Sequence, residues 1–132
     1  MRDDVFFDTN ILIYAVSADD AKSAISERLI TEGGIISVQV LNEFANTARR
    51  KRNASWTAVA SMLEIFRRTL RVQPLTIATH ELGLDLAARF NLSVYDAMII
   101  AAAQLAGCSV LYSEDMQSGL SIGSLSVRNP FS

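Results

Sequence analysis

Short apolar segments alternate along this chain with longer segments that have helical periodicity. The predicted strands are short and apolar: residues 4–8, 35–38, 73–77 and 109–113, with a last edge strand at 125–131. The predicted helices lie between them: a short one from residue 10, then 19–32, 37–50, 55–71, 78–90 and 93–107. Continuous apolar strands are typical of a parallel sheet that is covered on both faces. The alternation therefore predicts an α/β fold, which we expect to form a single domain over residues 1–132.

Composition excludes several classes of protein. Half of the 132 residues are hydrophobic and only 20% are charged, which excludes an intrinsically disordered chain. No apolar run approaches the roughly 18 residues of a membrane span, and the acidic N-terminal segment does not resemble a signal peptide. A single cysteine cannot form an internal disulfide. We therefore expect a cytoplasmic protein with no membrane partner.

The positive charge is concentrated in one window, residues 49–71. This window carries a net charge of +6, whereas the rest of the chain carries −8. The basic residues are Arg49, Arg50, Lys51, Arg52, Arg67, Arg68 and Arg71. They could hold an anion such as a nucleic-acid backbone, or they could simply complement the dipoles of helix C-termini. The sequence leaves both interpretations open.

The usual catalytic and phosphate-binding motifs are missing. The sequence contains neither GxGxxG nor GxxxxGK[ST], which argues against a dinucleotide site or a P-loop. It also lacks a GxSxG nucleophile motif. With one histidine, His80, and one cysteine, Cys108, a zinc site or a Cys/His catalytic pair is implausible. The chemistry therefore has to come from other residue types.

Four acidic residues stand near the ends of predicted strands or at the start of a buried helix: Asp8, Glu43, Asp96 and Asp115. Each has a structural explanation when taken alone. Asp8 could cap the next helix, Glu43 could lie on a solvated stripe, and Asp115 could begin a turn. Asp96 could cap its helix together with Ser93.

Taken together, the four carboxylates predict a cation site. Ligands of parallel α/β sheets bind at the carboxyl ends of the strands, and acids gathered there repel one another unless a cation is present or their pKa values rise. An all-oxygen ligand set without histidine or thiolate suits Mg²⁺ or Mn²⁺. Such an ion activates water and stabilises the leaving oxygen in phosphoryl chemistry.

The motifs that carry these acids resemble a known family. "FFDTNILIYA", "VQVLNEFANTARR" and "LSVYDAMIIAAAQLAGCSVLYSEDMQSG" are similar to the conserved motifs of PIN-domain ribonucleases, specifically the VapC-like toxins of toxin–antitoxin pairs. Asp8, Glu43, Asp96 and Asp115 match the family's acids, and "VRNPF" resembles its closing phrase. The motif around Asp115 departs from the usual Thr-x-Asp of the family, because this chain has Ser113-Glu114-Asp115. Glu114 is therefore a second candidate for the acid that faces the metal.

The resemblance implies a three-layer α/β/α fold and Mg²⁺- or Mn²⁺-dependent endonucleolytic cleavage of RNA, leaving 5′-phosphate and 3′-hydroxyl ends. It implies that Asp8, Glu43 and Asp96 hold the metal, and that Asp115 completes the site or binds a second ion. Asn10 and Ser113 would orient the carboxylates or the water. A cognate antitoxin and a homodimer are also implied. We expect three arginines to contact the RNA backbone: Arg49, Arg50 and Arg52.

Three other interpretations remain. A haloacid-dehalogenase-like phosphatase needs a second aspartate where this chain has Asn10, and it needs a late lysine. A response-regulator receiver domain needs its acidic pair after the first strand, whereas Asp3 and Asp4 precede it. A PIN fold that has lost activity and only binds RNA or protein is the main alternative to the enzyme.

Overall fold

The structure is a computed structural model that describes residues 2–132, with Asp20 described by its backbone alone. It contains six strands and six helices within these residues. The strands are β1 (Val5–Phe7), β2 (Ile35–Ser37), β3 (Arg71–Gln73), β4 (Val110–Tyr112), β5 (Ser121–Ile122) and β6 (Leu125–Arg128). The helices are α1 (Thr9–Ala15), α2 (Asp20–Glu32), α3 (Val38–Lys51), α4 (Trp56–Thr69), α5 (Ile77–Phe90) and α6 (Val94–Leu105).

The strands form one sheet in the order β3-β2-β1-β4-β6-β5. All neighbouring strands are parallel except β5 and β6, which form an antiparallel pair. The chain builds outward from β1 to β2 and β3, and then returns to place β4 on the other side of β1. The order therefore reverses between β1 and β4, and the carboxyl ends of these two strands flank the crevice where open α/β sheets bind their ligands.

The central strands are covered on both faces. All three residues of β1 are buried, and successive side chains of a strand point to opposite faces of the sheet. Helices must therefore pack on both sides of β1. This confirms the predicted three-layer α/β/α arrangement around a mainly parallel sheet.

The helix α6 is the most deeply buried. Its seven residues from Ala97 to Ala103 are all buried, as expected from a segment that is apolar nearly all round. It packs against α5, where Gly83 allows close approach: a Cβ at this position would lie 2.4 Å from Sδ of Met98. Core packing therefore fixes the orientation of α6 and, with it, the position of Asp96 in its first turn.

Two strand predictions were wrong. The third strand ends at Gln73 instead of continuing through residues 73–77, because Thr76 caps α5 and Ile77 begins that helix. The final strand, β6, is not at the edge of the sheet, because the short hairpin partner β5 lies outside it. A Gly at position 123 with φ of 59° makes the turn between these two strands.

No single helix among residues 2–132 is long and apolar enough to cross a membrane. The pair α5 and α6, bent by 119° at their junction, passes the same test only when the two are counted together, by length and composition alone.

Candidate active site

The switch point of the sheet brings Asp8 and the segment from Ser113 to Asp115 side by side. Phe7 of β1 is in register with Tyr112 of β4, and the backbone N–H of Asp8 donates to the Tyr112 carbonyl at 3.0 Å. The next residues, Asp8 and Ser113, therefore leave adjacent strands at the same level. The Ser113 hydroxyl donates to Oδ2 of Asp8 at 2.7 Å. Residues that are 105 positions apart thus form one buried contact.

Asp8 caps α1 and also carries a buried negative charge. Its Oδ1 accepts from the backbone N–H of Thr9 at 2.7 Å, and its side chain is only 5% exposed. Burial raises the pKa of Asp8 to about 6; the hydrogen bonds from Ser113 and Thr9 oppose this rise, and the charges of Asp96 and Glu43 add to it. Helix capping is therefore a correct but incomplete explanation, since a cap alone does not require a carboxylate in a negative, desolvated environment.

Glu43 lies in the middle of α3 and is held at both carboxylate oxygens. The Thr9 hydroxyl donates to Oε1 at 2.6 Å, and the Gln39 side-chain amide donates to Oε2 at 3.0 Å. Gln39 also donates to the backbone carbonyl of Tyr95, at 2.9 Å. Gln39 thus joins the Glu43 helix to the first turn of the Asp96 helix and fixes the two acidic segments relative to each other.

Asp96 is half-buried in the first turn of α6. Its backbone N–H donates to the Ser93 hydroxyl at 3.1 Å, so Ser93 is the N-cap of this helix. This is the Ser93 half of the predicted capping box. Burial raises the pKa of Asp96; the Ser93 hydroxyl opposes this, and the negative charges of Glu43 and Asp115 add to it. The effects of Glu43 and Asp115 on Asp96 show that the acids share one electrostatic environment.

Asn10 connects Asp115 to Asp8. Its amide nitrogen lies 3.2 Å from Oδ2 of Asp115 and 3.3 Å from Oδ2 of Asp8. Its carbonyl oxygen accepts from the backbone N–H of Glu114 at 3.1 Å. One side chain from α1 therefore orients two carboxylates and the loop that carries the second of them.

These residues line a single cleft of about 420 Å³. Its lining holds all four predicted acids, Asp8, Glu43, Asp96 and Asp115, together with Asn10 and Glu114. One cationic side chain, Lys51, also borders it. The structure therefore brings together acids from four separate segments, as the sequence predicted from their positions near strand ends.

As they are placed, no three of the described Asp, Glu, His or Cys side chains are arranged to hold one metal ion. The carboxylates of Glu43 and Asp8 instead bind neighbouring hydroxyl and amide groups. The chemistry of the donor set nevertheless fits Mg²⁺ or Mn²⁺, because it consists of oxygen atoms and has an excess of negative charge around a buried carboxylate. Binding of one ion by several of these carboxylates requires side-chain rotations that replace the hydrogen bonds with bonds to the ion.

The histidine and the cysteine of the chain lie outside this cleft. Cys108 is buried outside the cleft, and burial raises the pKa of its thiol to about 11. His80 is exposed on α5. Neither residue lines the acidic cleft, which agrees with a site that uses carboxylates alone.

The predicted RNA-binding arginines have different environments. The Arg49 guanidinium lies 4.3 Å from the centre of the Trp56 ring and donates to the Ala54 carbonyl. Arg52 donates to the carbonyl of Val16. Arg50 borders a small surface depression next to Lys51, which itself reaches the acidic cleft.

Several residues that shape the cleft were not among the predicted site residues: Thr9, Gln39, Lys22 and Tyr14. Gln39 carried a detectable signal, because it precedes Glu43 by four positions and belongs to the same polar stripe of α3. Lys22 and Tyr14 carried none, since they meet Glu114 only through the tertiary fold.

Fold and cleft define a protein with a carboxylate-lined site at the switch point of a parallel α/β sheet. The family model described as "PIN domain" matches residues 5–118, which is most of the chain. The chain belongs to the PIN domain family. No curated protein sequence matches it significantly.

Solved structures share this fold over nearly the whole chain. A toxin–antitoxin complex from Klebsiella pneumoniae has a TM-score of 0.73 at 22% identity, over 96% of this chain and 97% of the other. The toxin VapC20 of Mycobacterium tuberculosis, described as cleaving the sarcin–ricin loop, has a TM-score of 0.70 at 22% identity, over 84% and 89%. VapBC2 of Rickettsia felis, bound to a promoter DNA fragment, has a TM-score of 0.65 at 22% identity, over 95% and 97%. At these identities the likeness concerns the fold.

Proposed function

We propose that this chain is a divalent-metal-dependent endoribonuclease and the toxin of a toxin–antitoxin pair. The observation that carries the proposal is the convergence of Asp8, Glu43, Asp96 and Asp115 in one cleft at the switch point of the sheet. Membership of the PIN domain family supports nuclease chemistry. The structural neighbours, which include toxins and toxin–antitoxin complexes, support the biological class.

In this proposal Asp8, Glu43 and Asp96 hold Mg²⁺ or Mn²⁺, and Asp115 completes the site or holds a second ion. The cation supplies Lewis-acid activation of water and neutralises charge at the scissile phosphate. Asn10 and Ser113 orient the carboxylates of Asp115 and Asp8, which they contact directly. Because burial raises the pKa of Asp8 to about 6 in the metal-free chain, binding of a cation releases protons from this group at mildly acidic pH, and the raised pKa of Asp96 acts in the same direction.

Lys51 and Arg50 are the basic residues that we assign to the RNA backbone. Both follow Glu43 on α3 and lie at the edge of the acidic cleft or next to it. Arg49 and Arg52, in contrast, already contact Trp56 and Val16. A cation at the rim attracts the phosphates to a cleft whose own charge repels them.

A cognate antitoxin and a homodimer are part of the proposal. The Klebsiella and Rickettsia neighbours were solved as complexes of toxin with antitoxin, which supports a protein partner for this chain. Co-expression of the chain with the product of an adjacent gene, followed by size-exclusion chromatography with light scattering, measures both associations.

The test of the enzymatic proposal is cleavage of a mixed RNA pool by the purified chain with Mg²⁺, with Mn²⁺ and with EDTA. We expect cleavage that requires the metal and is lost in Asp96→Asn. Asp85→Asn is the matched control, because Asp85 is an exposed carboxylate of α5 whose contact is an ion pair with Arg89. Equal cleavage by wild type and Asp96→Asn would refute the assignment of the site. A folded chain that binds RNA or a protein partner and cuts under none of these conditions would favour a PIN fold that only binds.

A further inference from the structure

Glu114 precedes Asp115 and is itself a carboxylate at the edge of the acidic cleft, yet both its oxygens are engaged by other groups. The Tyr14 hydroxyl donates to Oε1 at 2.6 Å, and the Lys22 ammonium lies 2.5 Å from Oε2. Lys22 holds the pKa of Glu114 below its usual range, and the Tyr14 hydroxyl adds to this. The negative charge of Glu114 is thus compensated by the Lys22 ammonium, in a cleft that otherwise has an excess of acids.

The surroundings of Lys22 make this contact different from an ordinary surface ion pair. Its ammonium lies 4.7 Å from the centre of the Tyr14 ring and 5.5 Å from that of Phe131. The Lys22 and Glu114 side chains are only 34% and 23% exposed, whereas those of Arg68 and Glu64 are 76% and 61% exposed. Ion pairs that are partly shielded by aromatic rings are screened less and hold a more defined geometry than exposed ones.

The segment that carries Asp115 is attached at several points along its length. The Ser113 hydroxyl bonds Asp8, the backbone N–H of Glu114 bonds Asn10, and the side chain of Asp115 bonds the same Asn10. These contacts reach Asp8, which lies between β1 and α1, and Asn10 of α1; the backbone N–H of Ser113 also donates to the Arg128 carbonyl of β6. The Glu114 side chain alone extends the attachment to α2, through Lys22.

We propose that Lys22 and Tyr14 hold Glu114 as a tether that positions Asp115 in the acidic cleft, so that Glu114 is a positioning residue and not a metal ligand. The tether is defined by Tyr14, Lys22 and Glu114. Its consequence for metal binding rests on the proposed function, whereas its effect on the 113–116 segment does not. Loss of a residue that orients a metal ligand typically weakens metal binding by about 10- to 100-fold.

Removal of Lys22 separates this proposal from direct ligation by Glu114. In Lys22→Met the Glu114 carboxylate loses its cation. If Glu114 were itself a metal ligand, its release from Lys22 would leave the affinity for Mn²⁺ unchanged or raise it. If it is a tether, the 113–116 segment loosens and Mn²⁺ affinity falls about 10-fold or more. The two assignments therefore predict opposite changes.

The experiment combines two measurements on the full chain. Hydrogen exchange of the backbone amides of residues 113–116, measured without metal, reports the tether. Titration with Mn²⁺, followed by calorimetry or by the electron paramagnetic resonance of free Mn²⁺, reports its consequence. The variants are Lys22→Met, Lys22→Arg and Glu114→Gln, and Arg89→Met is the control because it removes an exposed ion pair with Asp85.

We expect faster exchange at 113–116 and weaker Mn²⁺ binding in Lys22→Met and Glu114→Gln, substantial rescue in Lys22→Arg, and wild-type values in Arg89→Met. Unchanged exchange in Lys22→Met, or Mn²⁺ binding that stays equal or tightens, overturns the tether. If Lys22→Met does not fold, amide exchange in Glu114→Gln decides, because faster exchange at 113–116 without metal is expected of a tether and not of a metal ligand. A wild-type chain that binds no Mn²⁺ refutes the metal-dependent function and the Mn²⁺ consequence, while amide exchange still decides whether Glu114 anchors the segment.

Discussion

Replacement of Asp8 by asparagine is predicted to stabilise the metal-free chain at neutral pH while it removes a proposed metal ligand. The Asp8 carboxyl is 5% exposed, and burial raises its pKa from 3.8 to about 6. At pH 7.5 the folded chain therefore carries a carboxylate in a place that favours the neutral acid. An isosteric amide removes that charge and keeps the shape of the side chain.

The sign of the pH dependence follows from the direction of this change. An acid whose pKa is higher in the folded than in the unfolded chain binds more protons in the folded state. Its contribution to stability is fully present below pH 3.8 and is lost as the pH rises through about 6. A pKa change of this size corresponds to about 3 kcal/mol in the free energy of unfolding.

The hydrogen bonds around Asp8 reduce the gain from Asp8→Asn. The amide oxygen of the new side chain can still accept from the N–H of Thr9, and its nitrogen can donate to the Ser113 hydroxyl. The Asn10 amide nitrogen, which now lies 3.3 Å from Oδ2 of Asp8, would meet another donor. Because one such hydrogen bond contributes about 1 kcal/mol, we expect a net stabilisation of about 1–3 kcal/mol at pH 7.5.

Urea unfolding in EDTA at pH 5, 6 and 7.5 measures this effect for wild type, Asp8→Asn and the exposed control Asp85→Asn. The difference in unfolding free energy between Asp8→Asn and wild type should grow as the pH rises, and Asp85→Asn should show no comparable growth. Carboxyl groups far from Asp8 titrate in both proteins and cancel in the difference. Asp96 and Glu43, whose charges act on Asp8, do not cancel, so the difference reports Asp8 together with its repulsion from these two acids. A difference that is independent of pH, or that shrinks as the pH rises, would refute the argument.

Two further predictions concern RNA binding and packing. Lys51→Ala should weaken RNA binding and lower the slope of log K against log salt by about 1, measured by fluorescence anisotropy in an Asp96→Asn background. A substitution of Arg68, which pairs with Glu64 on α4, is the control and should leave the slope nearly unchanged. An unchanged slope in Lys51→Ala would favour the helix-dipole explanation. Gly83→Ala should change the free energy of unfolding in urea by less than about 1 kcal/mol. Its Cβ would lie 2.4 Å from Sδ of Met98, but the cost of moving this flexible side chain is offset by the helix propensity of alanine in α5, which exceeds that of glycine by about 1 kcal/mol. A loss of more than about 2 kcal/mol would contradict this.

The fold was predictable because its strands are short and apolar. The run from Val5 to Phe7 has no polar face, which requires cover on both sides and therefore a parallel sheet with two helical layers. The ends of the sheet were harder to predict. Residues 75–77 are apolar enough for a strand, but Thr76 forms a capping box with Thr79 and starts a helix instead. The two-residue strand β5 is too short to leave a periodic signal.

The membership of the acidic cleft was predictable, whereas its internal contacts were not. Asp8 and Asp115 follow adjacent parallel strands, so topology alone brings them together. The contacts of Glu114 depend on Lys22, which is 92 residues away in the sequence and lies on α2. Arg49 and Lys51 belong to the same basic window of the sequence. Their environments differ because they lie at different positions around α3 and because Arg49 stacks on Trp56.

The most direct test of the central claim is to locate Mn²⁺ by anomalous diffraction in a crystal of this chain soaked with the ion. The account predicts an anomalous peak within the acidic cleft, bound by oxygen atoms of Asp8 and Asp96, and no such peak in a crystal of Asp96→Asn under the same conditions. Mn²⁺ bound elsewhere on a chain whose cleft remains free of the ion, or a cleft peak that persists undiminished in Asp96→Asn, would contradict it.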